Sequence, residues 1–120
     1  MINSASALYS FWSSFGIPAY GEGNIPDDAV LPYITYNITD PHWSDQASTF
    51  AKVWYRGTSN TAIATKVREI KQRIGDCISL PVDDGSIYLF PEENFAQFQE
   101  DEDGTKMAYL SLVQNSFTRG

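Results

Sequence analysis

The feature that most constrains the fold is a change in the spacing of apolar residues along the chain. In two segments these residues recur every three or four positions, which is typical of amphipathic helices. The first segment carries Leu8, Phe11, Trp12 and Phe15, and the second carries Ile63, Val67, Ile70 and Ile74. Elsewhere apolar and polar residues alternate, as they do in strands with one buried face. The spacing therefore predicts two helices in a protein that is otherwise rich in strands.

Local residues predict where each helix begins and ends. Asn3 is a suitable cap for the first helix, and Gly16 stands where that helix should stop. Thr58 or Ser59 can cap the second helix, and Gly75 stands at its C-terminal end.

Charged residues of the second helix fall on the side opposite its apolar stripe. Lys66, Glu69 and Arg73 are expected to line a solvated face. Glu69 precedes Arg73 by four residues, the favourable order for an ion pair on a helix surface.

The alternating segments predict the strands. They are residues 31–39, 49–56, 78–82, 86–90, 95–100 and 106–117, with hairpin signals at 83–85 and 102–104. Residues 16–28 hold three glycines and two prolines and are predicted to be a loop. The order is helix, strand, strand, helix and then three or four strands. It predicts one α+β domain over residues 1–120, an antiparallel or mixed β-sheet with two helices packed on it.

Composition limits the partners. The 120 residues include 15 acidic and 8 basic side chains, for a net charge of -7, which disfavours specific nucleic-acid binding. No apolar run approaches the roughly 18 to 20 residues of a membrane span, and the first residues do not resemble a signal peptide. We expect a cytosolic protein with no membrane contact. Cys77, the single cysteine, cannot form an intrachain disulfide and is expected to be a buried thiol.

Two neighbouring residues, His42 and Trp43, are candidates for a protein interface. His42 is the only histidine, and it follows a predicted strand in a polar loop with Ser44 and Asp45. Catalytic triads bring together distant segments on rigid elements, so we interpret His42 as a loop residue. Trp43 either packs onto its own domain or is an exposed aromatic that anchors a protein or a sugar.

Residues 99–110 resemble a calcium-binding loop only in their middle. Asp101, Asp103 and Gly104 fall at the expected positions, but Gln99 and Leu110 replace the outer acidic ligands. A charged hairpin turn is the simpler interpretation. The sequence therefore predicts no catalytic residues, no cofactor and no metal site.

The order of elements resembles that of the tail-terminator, or tail-completion, proteins of long-tailed phages and prophages. The resemblance rests on an N-terminal helix, a glycine-rich turn, the pair Pro32 and Tyr33, a helix with the sequence ATKVREIKQRI, and a β-rich C-terminal half. It spans nearly the whole chain.

This resemblance implies a protomer without enzymatic activity that forms a ring, typically a hexamer. The ring would cap the tail tube protein and meet the head connector, in the virion tail after assembly in the host cytoplasm. A negative lumen would let DNA pass without binding, because carboxylates repel phosphates. Candidate lumen or rim residues are Glu92, Glu93, Glu100, Asp101, Glu102 and Asp103. The alternatives are another neck, head-tail connector or minor capsid protein, and a small carbohydrate- or protein-binding module.

Overall fold

The first helix begins where the sequence predicts it but ends at Ser13, before the predicted stop at Gly16. In the computed structural model, which describes residues 3–38, 46–57, 59–83 and 85–118, helix α1 spans Ser4–Ser13. The Oδ1 atom of Asn3 accepts a hydrogen bond from the Ser6 backbone N–H at 2.9 Å, which confirms the predicted cap. The apolar stripe is at most 5% exposed: Leu8, Phe11, Trp12 and Phe15.

Replacing Asn3 with alanine is expected to lower the free energy of unfolding by about 1 kcal/mol, because the first turn of α1 loses its side-chain acceptor. Asn3→Asp keeps an acceptor at the same position and should retain most of the stability. Urea denaturation followed by circular dichroism measures both variants. Equal losses in the two variants would contradict a capping role.

The second helix, α2, spans Thr61–Ile74 and buries its apolar stripe as predicted. The stripe residues are at most 6% exposed: Ile63, Val67, Ile70 and Ile74. Gly75 ends the helix with φ of +60°, a conformation that favours glycine. The predicted C-terminal end is therefore confirmed.

The N-terminal cap of α2 differs from the prediction. Asn60 occupies the cap position, and its side chain makes no capping hydrogen bond. The Ser59 hydroxyl instead accepts from the Thr61 backbone N–H at 3.1 Å. Thr58, the other predicted cap, lies outside the described residues. Ser59 thus satisfies a free N–H of the first turn from one residue before the cap position.

The charged side of α2 is not uniformly solvated, contrary to the prediction. The Lys66 side chain is 17% exposed; its ammonium donates to the Phe15 carbonyl and pairs with Glu69 at 2.8 Å. Arg73 lies 5.8 Å from the Phe15 ring and makes no ion pair with Glu69. These contacts join α2 to the end of α1. Spacing along one helix cannot reveal them, because the partner residue belongs to another element.

Six strands occur among the described residues. They are β1 Ala19–Gly21, β2 Tyr33–Tyr36, β3 Gln46–Arg56, β4 Ile78–Val82, β5 Gly85–Glu100 and β6 Thr105–Thr118. Strand β2 is shorter than predicted, and β3 begins earlier. The hairpin predicted at residues 102–104 joins β5 to β6, with the Asp101 N–H donating to the Thr105 carbonyl at 2.8 Å.

The glycine-rich segment predicted to be a loop contains strand β1. This strand pairs in parallel with β2, placing Ala19 opposite Ile34. The Ile34 N–H donates to the Pro18 carbonyl at 2.9 Å. Composition alone missed β1, because three residues become a strand only through pairing with a distant segment.

The two strands predicted at residues 86–90 and 95–100 are one continuous strand, β5. Its register against β6 shifts between Pro91 and Ala96. Proline has no N–H to donate, and an irregularity in pairing is where a sheet tolerates it. The sequence therefore predicted a break between two strands, whereas the structure has a register shift within one strand.

The sheet has the strand order β1-β2-β3-β6-β5-β4, with β1 and β2 parallel and all other neighbours antiparallel. It is curled, and both helices pack on its inner face. Helix α2 contacts β3, β5 and β6, whereas α1 contacts β1 and β4, the strands at the two edges. The predicted α+β class, with two helices packed on a mixed sheet, is confirmed.

One hydrophobic core lies between the helices and the inner face. Its strand residues are the inward-pointing positions of the sheet, and its most buried members are Ile34, Ala51, Val53, Ile87, Leu89, Ala108, Leu110 and Leu112. Because the helices use only this face, the opposite face of the sheet is left for other contacts.

Candidate functional site

The face of the sheet opposite the helices, here called the outer aromatic face, is rich in aromatic side chains. Successive side chains of a strand point to opposite faces. Val53 and Ala108 are buried beneath the helices, so their neighbours along β3 and β6 point outward. The face consists of Tyr20, Tyr33, Phe50, Trp54, Tyr88, Phe90 and Tyr109. Each is partly exposed, and none of the helices and strands of the described residues lies over them.

The rings of this face contact one another across neighbouring strands. Phe50 and Tyr109 stack with their centroids 5.3 Å apart. Tyr33 meets Tyr20 edge-on at 5.6 Å and lies 6.4 Å from Trp54. These are separations at which aromatic pairs attract. The contacts make an ordered surface that reaches from β1 to β6.

Polar groups fix Trp54 in this surface. Its Nε1–H donates to the Thr35 hydroxyl at 2.9 Å, and Thr35 is fully buried. The Lys52 ammonium lies 6.0 Å from the Trp54 ring and 5.3 Å from the Phe50 ring. It also pairs with Glu22 at 3.2 Å. These contacts hold the Trp54 ring in a defined position on the outer aromatic face.

A second surface is an open groove between α2 and β5, here called the α2–β5 groove. It has a volume of about 440 Å³. Its principal lining residues are Val67, Arg68, Lys71, Glu93, Phe95 and Phe98. Phe98 is 55% exposed, although it stands opposite the buried Ala108 on the inner face. The groove thus combines an exposed aromatic ring with two basic side chains and one carboxylate, that of Glu93.

The two basic side chains of the groove have no acidic partner within the part of the chain that the structure describes. Four other described cations hold a carboxylate, in the pairs Lys52–Glu22, Arg56–Asp103, Lys66–Glu69 and Lys106–Glu100. Arg73, also on α2, lies against the Phe15 ring and has no ion pair with a described residue. Unneutralised positive charge is therefore concentrated on α2, in a chain whose net charge is -7.

A third surface is a cavity of about 410 Å³ between α1 and the edge strand β4. Serine hydroxyls from α1 line it, and Ser14 uses its hydroxyl to donate to the Phe11 carbonyl at 2.6 Å. A serine nucleophile needs an adjacent base. Within the described residues no histidine is present, and no group of three His, Cys, Asp or Glu side chains could hold a metal ion.

The six acidic residues predicted to line a lumen or rim do not form one patch. Glu92 and Glu93 lie at the register shift of β5, and Glu100 lies at its end. Asp101, Glu102 and Asp103 form the turn that follows. At about 3.3 Å per residue, roughly 20 Å separates Glu93 from Glu100. Any acidic rim would therefore be formed chiefly by the hairpin turn.

One member of that set, Glu100, pairs with the buried Lys106. The Lys106 ammonium lies 2.7 Å from the Glu100 Oε1 atom, and the Lys106 residue is only 4% exposed. Glu100 remains half exposed. The pair lies on the inner face, beside Tyr55 on β3.

Glu100→Gln is expected to destabilise the fold by roughly 1 to 3 kcal/mol, because it leaves a buried ammonium without its carboxylate. Lys106→Met should cost less, since it fills the same space and leaves Glu100 in water. Urea denaturation at neutral pH compares the two variants. A larger loss for Lys106→Met would contradict this account of the pair.

Among the described residues, three side chains have shifted pKa values. Burial raises the pKa of Tyr36 and of Tyr55, so both phenols stay neutral at neutral pH. The Thr105 backbone N–H donates to Asp103 at 3.0 Å and is the main cause that holds the pKa of Asp103 below its usual value. The hydrogen bond to ionised Asp103 therefore stabilises the hairpin at pH values above the ordinary Asp pKa. This stabilisation is lost as the pH falls below that value.

Three predicted residues remain, and the prediction for one of them, Cys77, is wrong. Cys77, expected to be buried, is exposed. It lies between the end of α2 and β4, which is the strand at a sheet edge. His42 and Trp43 both fall in residues 39–45, outside the described residues.

A comparison with models of protein families finds no match for this chain, and a comparison with curated proteins finds no significant match. None of the helices in the described residues is long and apolar enough to cross a membrane. Functional inference for this chain therefore depends on its own surfaces.

Proposed function

We propose that this chain is a structural protein of a long-tailed phage or prophage, which assembles into a ring that caps the tail tube and joins it to the head connector. The observation that carries the proposal is the outer aromatic face. Two helices packed on one side of a six-stranded sheet, in the order found here, are also consistent with the family resemblance of the sequence.

The outer aromatic face has the properties of a protein interface. Tyrosine, tryptophan and phenylalanine are enriched at such interfaces, and large contiguous apolar patches are uncommon on monomers. Because the rings already stack on one another, binding would immobilise few side chains and lose little conformational entropy. We assign this face to contact with the tail tube protein.

The charge of the protein suits a channel for DNA. The net charge is -7, and the turn between β5 and β6 presents Asp101 and Glu102 without ion pairs among the described residues. Carboxylates at a lumen would repel the phosphate backbone and let DNA pass without binding. The same distribution of charge makes nucleic acid an unsuitable ligand.

Electron microscopy of the purified protein and co-sedimentation with polymerised tail tubes test the proposal. The expected results are rings of uniform size and protein that sediments with the tubes. A protein that stays monomeric when concentrated and remains in the supernatant would overturn it.

Two further measurements separate the alternatives. Binding to head connectors without binding to tubes would make the protein a neck or connector component. A change in tryptophan fluorescence across a saccharide panel, without tube binding, would make it a carbohydrate-binding module. Either result would replace the tail-terminator proposal.

A further inference from the structure

The charge and the exposed aromatic ring of the α2–β5 groove indicate which segment would be complementary to it. Arg68 and Lys71 are exposed and have no acidic partner within the described residues. Phe98, on the other side of the groove, is 55% exposed. The complementary segment would carry two carboxylates next to an apolar side chain.

One segment of this same chain has that composition. In the loop between β1 and β2, Asp27 and Asp28 are exposed and make no ion pair with any described residue. The Ala29 N–H donates to the Pro26 carbonyl at 3.1 Å, forming a turn that presents both carboxylates. Val30 follows them and is 77% exposed, more than any other large apolar side chain of the described residues.

The loop and the groove lie on different parts of the protomer. The loop connects β1 and β2 at one edge of the sheet, whereas the groove lies over β5, with β3 and β6 between them in the strand order. A contact between two different surfaces of identical chains is heterologous, and rotation about an axis can close it into a ring.

We propose that residues 25–30 of one copy dock into the α2–β5 groove of the next copy, with Asp27 and Asp28 against Arg68 and Lys71, and Val30 against Phe98. This contact rests on the proposed ring and identifies the surfaces that join its neighbours. It leaves the outer aromatic face free for the tail tube.

Charge reversal on either side of the contact tests the proposal. The variants R68E/K71E and D27K/D28K should each raise the concentration needed for assembly by roughly tenfold or more, because attraction becomes repulsion. The quadruple variant, which reverses both surfaces of every copy, should assemble again. Sedimentation velocity measures assembly, and thermal unfolding monitors the fold, which should change little because all four side chains are exposed.

The variant D101K/E102K is the matched control, since it makes the same change in charge on the β5–β6 turn. It should assemble like the original protein. If it loses assembly while D27K/D28K keeps it, or if R68E/K71E assembles normally, the proposed contact is wrong although rings still bind tubes. If the original protein forms no rings and binds no tubes, the proposed function fails as well.

Discussion

Replacing Trp12 with alanine is expected to lower the free energy of unfolding by about 3 to 5 kcal/mol, the range for deletion of a large buried aromatic side chain. Trp12 is 2% exposed and lies 4.8 Å from the Phe11 ring and 6.2 Å from the Phe15 ring. It also stacks on Tyr36 of β2 at 6.4 Å. The variant would leave a cavity where α1 is anchored to the sheet.

Tyr9→Ala provides the control for this prediction, because Tyr9 belongs to the same helix and is 56% exposed. It should change the free energy of unfolding by no more than about 0.5 kcal/mol. Urea denaturation monitored by circular dichroism compares the two variants. Similar losses for both would mean that helix propensity, not core packing, explains the effect.

Replacing Tyr109 with glutamate is expected to weaken binding to tail tubes by roughly 30-fold, which corresponds to about 2 kcal/mol for an interface hot spot. Tyr109 stacks on Phe50 near the middle of the outer aromatic face. A carboxylate there would have to lose its hydration on contact with an apolar partner. The assembly of rings should persist, because the α2–β5 groove is unchanged.

Tyr9→Glu is the matched control, because it makes the same substitution at an exposed tyrosine of α1, away from the outer aromatic face. Co-sedimentation at a series of tube concentrations measures the affinities, and near-ultraviolet circular dichroism checks that both variants keep their aromatic packing. Normal binding by Tyr109→Glu would remove the outer aromatic face from the interface with the tube.

The helices could be predicted from sequence because their information is local. Leu8, Phe11 and Trp12 repeat at helical spacing, and Asn3 supplies the cap within the same segment. The short strand β1 could not be predicted in this way, since its hydrogen bonds go to β2. The partial burial of Lys66 could not be predicted either, because the carbonyl that its ammonium contacts belongs to Phe15, which lies outside α2.

The candidate surfaces were only partly visible in the sequence. Phe50 and Trp54 alternate with Ala51 and Val53 along β3, so two usable faces could be expected. Which face the helices cover depends on how α1 and α2 pack, and this information is not contained in one strand. The groove was missed because Arg68 and Phe98 come together only when α2 lies on β5.

The position of β6 at the centre of the sheet has a consequence for biosynthesis. It is the last of the six strands to be made, yet it joins the β1-β2-β3 half to the β5-β4 half. Until β6 leaves the ribosome, β3 and β5 each expose an unpaired strand edge. The core then also lacks the buried residues of β6, which are Ala108, Leu110 and Leu112. The sheet can therefore close only after β6, the strand that joins its two halves, has been made.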